Sequence, residues 1–184
     1  MIRLGNLIRR IHMMKYLPHI LIISFVFILT LLASSLHAQE AVTVTRIVDG
    51  DTLKVFYLGN EESLRLIGID TPESRANKKT RKDAERNKQD VKTIIEMGKK
   101  ATGYVKGLVK PGDLITIEHD VQERDRYGRI LGYVYLTNGK MLNEEIVKAG
   151  YAVIMTIPPN VKYKNRFSIA YQEAREDKRG LWGE

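Results

Sequence analysis

Five charged side chains stand where strand physics does not require them. Asp51 follows an Asp49-Gly50 pair, Asp70 and Glu73 close the run RLIGIDTPE at 65–73, Arg65 interrupts a segment otherwise made of Leu and Ile, and Arg129 ends DRYGR at 125–129. Hard carboxylate oxygens suit Ca²⁺ or Mg²⁺, and Ca²⁺ tolerates irregular oxygen shells that include a backbone carbonyl. Arginine suits a phosphate, because its planar fork meets two oxygens at once and never loses its charge. A divalent cation and two guanidiniums around one anion are what a phosphodiester displacement needs, since the phosphorus centre gains negative charge in the transition state.

Taken singly, each run has a plainer explanation. Asp-Gly is a strong hairpin-turn signal. Thr71-Pro72 with Glu73 resembles a capped helix start. DRYGR reads as a polar hairpin turn, and a mid-strand arginine more often faces solvent. The case for chemistry rests on the set. It also makes a structural demand: Arg65 and Asp70 are five residues apart, so in a regular strand they point to opposite faces. If both serve one site, the strand must break its alternation, and Gly68 is where an irregularity costs least.

The surrounding elements follow from periodicity. AVTVTRIV, TLKVFYL and SLRLIGI, separated by Asp49-Gly50 and Gly59-Asn60, predict a three-stranded meander. Residues 74–90 carry many charges of both signs and alanine as their only hydrophobic type, which predicts a solvated loop or an exposed helix start. Val91, Ile94, Ile95, Ala101, Tyr104, Val105 and Leu108 then mark an amphipathic helix stopped by Pro111-Gly112. DLITIEHD and RILGYVYL predict two more strands. A short helix holding Leu142, Ile146 and Val147, a short strand YAVIM, and a last helix from Phe167 to Lys178 complete the chain, with Leu181 and Trp182 as its anchor. Five strands split three and two around an inserted helix predict an α+β, mainly β fold: a small five-stranded barrel of the OB type with helices at the C-terminal end.

Composition excludes several alternatives. The 184 residues hold 30 Lys and Arg against 22 Asp and Glu, a net charge of +8, and 43% hydrophobic residues, which is ordinary for a globular domain. There is no cysteine, so disulfide scaffolds, thiolate zinc sites and cysteine nucleophiles are ruled out. Three of the four histidines fall within the first 37 residues, which hold no acid but carry Arg3, Arg9, Arg10 and Lys15 ahead of the apolar run from Leu17 to Leu36. This pattern predicts a signal peptide over 1–38 cleaved after Ala38, with Met13 or Met14 as an alternative start; the competing reading is an uncleaved membrane anchor. Either way the domain at 39–184 is expected to work outside the cytoplasm, secreted or periplasmic. Cleavage leaves 26 basic against 22 acidic residues and a single histidine, His119. Histidine metal clusters and paired-histidine phosphodiesterases are then impossible. His119 is expected to be an exposed strand-end residue.

In this order and at these separations, IVDGDT, RLIGIDTPE, DRYGR and GKMLNEEIVKAGYA resemble the staphylococcal nuclease (thermonuclease) family, from about Val42 to Trp182. The resemblance implies an OB-fold nuclease that uses Ca²⁺ to hydrolyse DNA and RNA, with single strands preferred, and leaves 3′-phosphate ends. It implies Asp51 and Asp70 as carboxylate ligands of the calcium, with Thr71 offering its backbone carbonyl and Asp49 nearby. Glu73 takes the position that activates or orients the attacking water. Arg65 and Arg129 take the phosphate-clamping positions, Arg129 also stabilising the departing 5′-oxygen. Arg126-Tyr127 replaces the family's nucleotide-binding lysine–tyrosine pair. The family's tyrosine-rich base pocket lies opposite Thr156 and Pro158 here, so either Tyr163 swings into that place or base stacking is weakened. A monomer suffices for all of this. Two rival readings stand beside it: a non-catalytic OB barrel that grips single-stranded nucleic acid, and a membrane-tethered, non-enzymatic envelope protein whose basic face, from Lys and Arg in 75–110, docks on anionic lipid and leaves the five charged residues unexplained.

Overall fold

The computed structural model describes residues 39–183; the leader expected at 1–38 lies outside the described residues. Seven strands, β1 (Gln39–Ile47), β2 (Thr52–Tyr57), β3 (Asn60–Leu66), β4 (Gly68–Asp70), β5 (Leu114–Glu118), β6 (Ile130–Tyr135) and β7 (Val153–Met155), are joined by four helices, α1 (Lys78–Asn87), α2 (Val91–Leu108), α3 (Leu142–Lys148) and α4 (Lys164–Glu176), with a short 3₁₀ turn at Gly180–Trp182. Five of the strands close a barrel in the order β1-β2-β3-β6-β5, and β4 pairs with β7 in a separate two-stranded sheet. This is the expected α+β architecture of a five-stranded barrel.

Alternation explains how the barrel fills. Val42 and Val44 point inward from β1, and the next inward residue is Ile47, three positions on. A register shift between Val44 and Arg46 absorbs the odd step. Leu53 and Val55 from β2, Leu64 and Leu66 from β3, Ile115 and Ile117 from β5, and Ile130 and Val134 from β6 complete the interior. All barrel pairs are antiparallel except β3 with β6, which run parallel with Arg65 opposite Leu131. A parallel pair needs a long crossover, and α1, α2 and β5 supply it.

The break predicted near Gly68 is present. β3 ends at Leu66, Gly68 adopts φ of +83°, and the chain leaves the barrel wall to pair with β7, Ile69 opposite Ile154 and Asp70 opposite Val153. Asn143 of α3 fixes the break: its side chain accepts from the Val134 amide at 2.9 Å and donates to the Ile67 carbonyl at 2.9 Å. A fully buried asparagine satisfied in this way holds the Ile67 carbonyl at the break, while the Ile67 amide still donates to Gly132 of β6 at 3.1 Å.

Several expectations change in detail. The charged stretch 74–90 contains a true helix, α1, capped by Asn77 and burying Thr80 and Ala84 against the domain. The last helix begins at Lys164, one turn before Phe167. His119 is not exposed: its side chain retains 15% of its surface, and Nδ1 lies 3.0 Å from the Leu131 carbonyl. Trp182 does anchor the end of the chain, edge-on to Tyr171 with ring centres 5.4 Å apart.

Candidate active site

Because β3 stops and β4 turns away, Arg65 and Asp70 meet. Arg65 is 7% exposed. Its Nη2 donates to Asp70 Oδ1 at 2.8 Å, and its Nη1 pairs with the Asp51 carboxylate and reaches the Asp51 carbonyl at 3.3 Å. The guanidinium therefore bridges a carboxylate from the β1–β2 turn and one from the end of β4. Asp51 is fixed from its other side as well: Oδ2 accepts from the Thr71 amide at 2.9 Å and the Thr71 hydroxyl at 3.1 Å, and Oδ1 from the Thr52 hydroxyl at 3.0 Å. The Thr71 backbone is thus locked, with its carbonyl turned toward Lys79 Nζ, 3.2 Å away.

Glu73 joins the cluster through α1. Its Oε1 accepts from Lys79 Nζ at 3.0 Å and its Oε2 from the Asn77 side-chain amide at 2.7 Å, while the same Lys79 donates to Asp70 Oδ1 at 3.0 Å. The electrostatics follow from burial and pairing. Burial would raise the Asp51 carboxyl, but Arg65, the Thr71 amide and Lys79 overrule it and hold it below the usual range. Asp49, half-buried beside Asp51 and without an ion-pair partner among the described residues, is pushed up to about 7 by partial burial and by its neighbour's charge. Burial also raises Asp70 against the pull of Lys79 and Arg65. Lys79 loses to burial less than it gains from Asp70 and Glu73, so its ammonium is held above its ordinary value.

The second arginine lies across an adjoining cavity of about 450 Å³, lined by Arg65, Gln122, Asp125, Arg126, Tyr127, Arg129, Met155, Ile157 and Asn160 among others. Arg129 is positioned by Asp125, whose Oδ2 accepts from its Nε at 2.7 Å and whose Oδ1 accepts the Arg129 and Tyr127 amides at 3.0 and 2.9 Å. The Tyr127 ring is largely exposed, with the Arg126 guanidinium 4.8 Å from its centre and the Arg129 guanidinium 5.7 Å away. Asn160 shapes the opposite wall by clamping the Gln122 backbone with two hydrogen bonds of 2.8 Å.

All eight expected site residues therefore fall in two adjoining places. Asp51, Asp70, Thr71 and Glu73 form the acidic cluster; Arg126, Tyr127 and Arg129 line the cavity; Arg65 belongs to both. Tyr163 does not move into the base pocket. Its hydroxyl is bound to Glu118 Oε2 at 3.0 Å and Tyr135 at 3.1 Å, and its ring packs edge-on to Tyr133. Met155 and Ile157 take the wall instead, leaving Tyr127 as the aromatic face of the cavity. Sequence reasoning missed Lys79, Asn77, Asp125 and Asn160; the first two sat in a charge run with no periodicity to separate them, and Asp125 passed as a turn residue.

Among the described residues no three carboxylate or imidazole side chains form a ready-made metal cage. The donor set nevertheless fits a hard cation. Asp70 Oδ1, Glu73 Oε1 and the Thr71 carbonyl already converge on one positive charge, the Lys79 ammonium, and all are oxygens of the kind that Ca²⁺ takes.

The fold and site define a class, a five-stranded barrel with acids and arginines gathered at one cleft, and comparison with known proteins gives its lineage. Residues 63–184 match the model of the staphylococcal nuclease homologue family. The thermonuclease of Staphylococcus hyicus is 34% identical over 144 residues, covering 78% of this chain and 76% of that protein. Endonuclease YhcR of Bacillus subtilis (strain 168) is 38% identical over 145 residues, 77% of this chain but 11% of that much longer protein. Endonuclease YncB of the same organism is 37% identical over 143 residues, 77% of this chain and 61% of that protein. The chain belongs to the staphylococcal nuclease homologue family.

Proposed function

We propose that this protein is a calcium-dependent nuclease that hydrolyses phosphodiester bonds of DNA and RNA, single strands preferred, and leaves 3′-phosphate ends. The observation that carries this reading is the double engagement of Arg65, which pins Asp51 and Asp70 together on one side and lines the cavity of Arg129 on the other. Asp51, Asp70 and the Thr71 carbonyl would hold the calcium, which supplies fixed positive charge at the scissile phosphate.

The chain's own groups do the rest. Arg65 and Arg129 bind the non-bridging oxygens and meet the charge that develops there. Glu73 orients the attacking water and accepts its proton as the new P–O bond forms. The P–O5′ bond breaks, and Arg129 stabilises the departing 5′-oxygen until solvent protonates it. Arg126 and Tyr127 receive the neighbouring nucleotide, with Tyr127 as a single stacking surface. The domain at 39–184 acts as a monomer outside the cytoplasm, delivered by the leader at 1–38.

The test is hydrolysis of single-stranded DNA by the purified protein with calcium and with chelator. Cleavage is expected with calcium alone, to products whose mass shows a 3′-phosphate, and Arg129→Ala is expected to lower the rate at least about 100-fold. Binding without cleavage under every divalent ion would overturn the enzyme in favour of a nucleic-acid-binding barrel.

A further inference from the structure

Lys79 lies in the first turn of α1, where the partial positive charge of the helix N-terminus disfavours a cation. That turn holds Lys78, Lys79 and Arg81 and no acid, so helix electrostatics do not account for it. Lys79 is set apart by where it reaches. Its ammonium has three protons, and three oxygens on three residues surround it: Asp70 Oδ1 and Glu73 Oε1 at 3.0 Å and the Thr71 carbonyl at 3.2 Å. The helix start that carries it is built into the same cluster, since Asn77 caps α1 through the Thr80 amide at 2.8 Å and holds the other oxygen of Glu73 at 2.7 Å.

We infer that Lys79 is a tethered counter-cation that fills the metal position of the acidic cluster in the calcium-free protein, and that calcium binds by exchange with its ammonium. The inference rests on the calcium reading above, because the oxygens that Lys79 occupies are those this reading assigns to the metal and the water-orienting carboxylate. Two cations cannot share these oxygens at contact distance, since their mutual repulsion in a partly buried cluster exceeds that in water several-fold. Lys79 therefore keeps Asp70 and Glu73 from repelling each other before calcium arrives. Its departure frees Glu73 Oε1 for water and loosens the first turn of α1. The site is stable without metal, at the cost of weaker calcium binding.

The test is calorimetric titration of the full-length protein with calcium chloride alone, without nucleic acid, together with thermal unfolding in chelator and in calcium. Lys79→Met is expected to bind calcium about tenfold more tightly or better, to unfold at a lower temperature than wild type in chelator, and to gain more from calcium than wild type does. Lys78→Met, an exposed neighbour with the same charge, controls for long-range electrostatics and is expected to change affinity less than about twofold. Hydrogen exchange in wild type is expected to quicken at Asn77 to Thr80 when calcium is added. Equal calcium affinity in wild type and Lys79→Met, or an equal gain in Lys78→Met, would overturn the exchange while leaving the calcium site standing. Absence of calcium binding in wild type and Lys79→Met alike would remove the calcium reading itself.

Discussion

Arg65 and Arg129 bring the same charge to the same cavity and are held there differently. The Arg65 guanidinium is buried against Asp51 and Asp70, whose side chains keep only 7% and 15% of their surface. Removing it strands two carboxylates, so Arg65→Ala is expected to cost about 3–5 kcal/mol of stability as well as activity. Arg129 is a third exposed, and Asp125 keeps two backbone amides without it. Arg129→Ala is expected to change stability by less than about 1 kcal/mol while losing activity. Urea unfolding of the two variants separates them. Similar midpoints would show that Arg65 is not the pin between the two carboxylates.

At the level of the elements, two glycines decide how the site is carried. Gly68 turns β3 into β4 with φ of +83°, and a Cβ there would lie 2.7 Å from the Phe167 ring of α4. Gly68→Ala is expected to cost about 2–4 kcal/mol from left-handed strain and overpacking together. Gly98 lies inside α2, where alanine would ordinarily be better by about 1 kcal/mol. Here a Cβ would stand 2.3 Å from the carbonyl carbon and oxygen of Glu73, so the helix approaches the loop that carries the water-orienting residue. Gly98→Ala is therefore expected to destabilise and to lower hydrolysis by displacing Glu73. A rise in melting temperature with full activity would show that the approach does not matter.

Across the whole molecule, acid ties hold the barrel to its C-terminal helices. Glu118 of β5 accepts from the Tyr135 and Tyr163 hydroxyls at 2.7 and 3.0 Å and pairs with Lys162; burial opposes its ionisation, but these partners hold its carboxyl below the usual range. Glu144 of α3 is held low chiefly by Arg166 of α4, which donates to it at 2.8 Å. A carboxyl depressed in the folded state contributes stability above its unfolded value and loses it as pH falls through its folded value. The melting temperature is thus expected to decline from about pH 4.3, the ordinary glutamate value, downward. Glu118→Gln is expected to start lower at neutral pH and to flatten that decline. An unchanged acid limb in the variant would remove Glu118 from the account.

The sequence by itself determined the barrel strands, whose alternation is a local property of β-branched and aliphatic residues, and the amphipathic helix at Val91–Leu108. Asp51, Arg65, Asp70, Glu73 and Arg129 stood out as a set of carboxylates and guanidiniums that strand physics does not require, and the family resemblance added Thr71, Arg126 and Tyr127. The sequence also placed a break near Gly68, on the condition that Arg65 and Asp70 share one site, since their parity cannot bring them together in a straight strand. The tertiary structure decided what depends on distant partners. The parallel pairing of β3 with β6 arises from barrel closure, which no local pattern encodes. Tyr163 was drawn to Glu118 instead of the base pocket because a buried carboxylate and two tyrosine hydroxyls satisfy one another there. Lys79 is chemically indistinguishable from its neighbours in a charged run. Only the tertiary placement of the start of α1 beside the loop after β4 brings its ammonium, and not that of Lys78, to the three oxygens of the cluster.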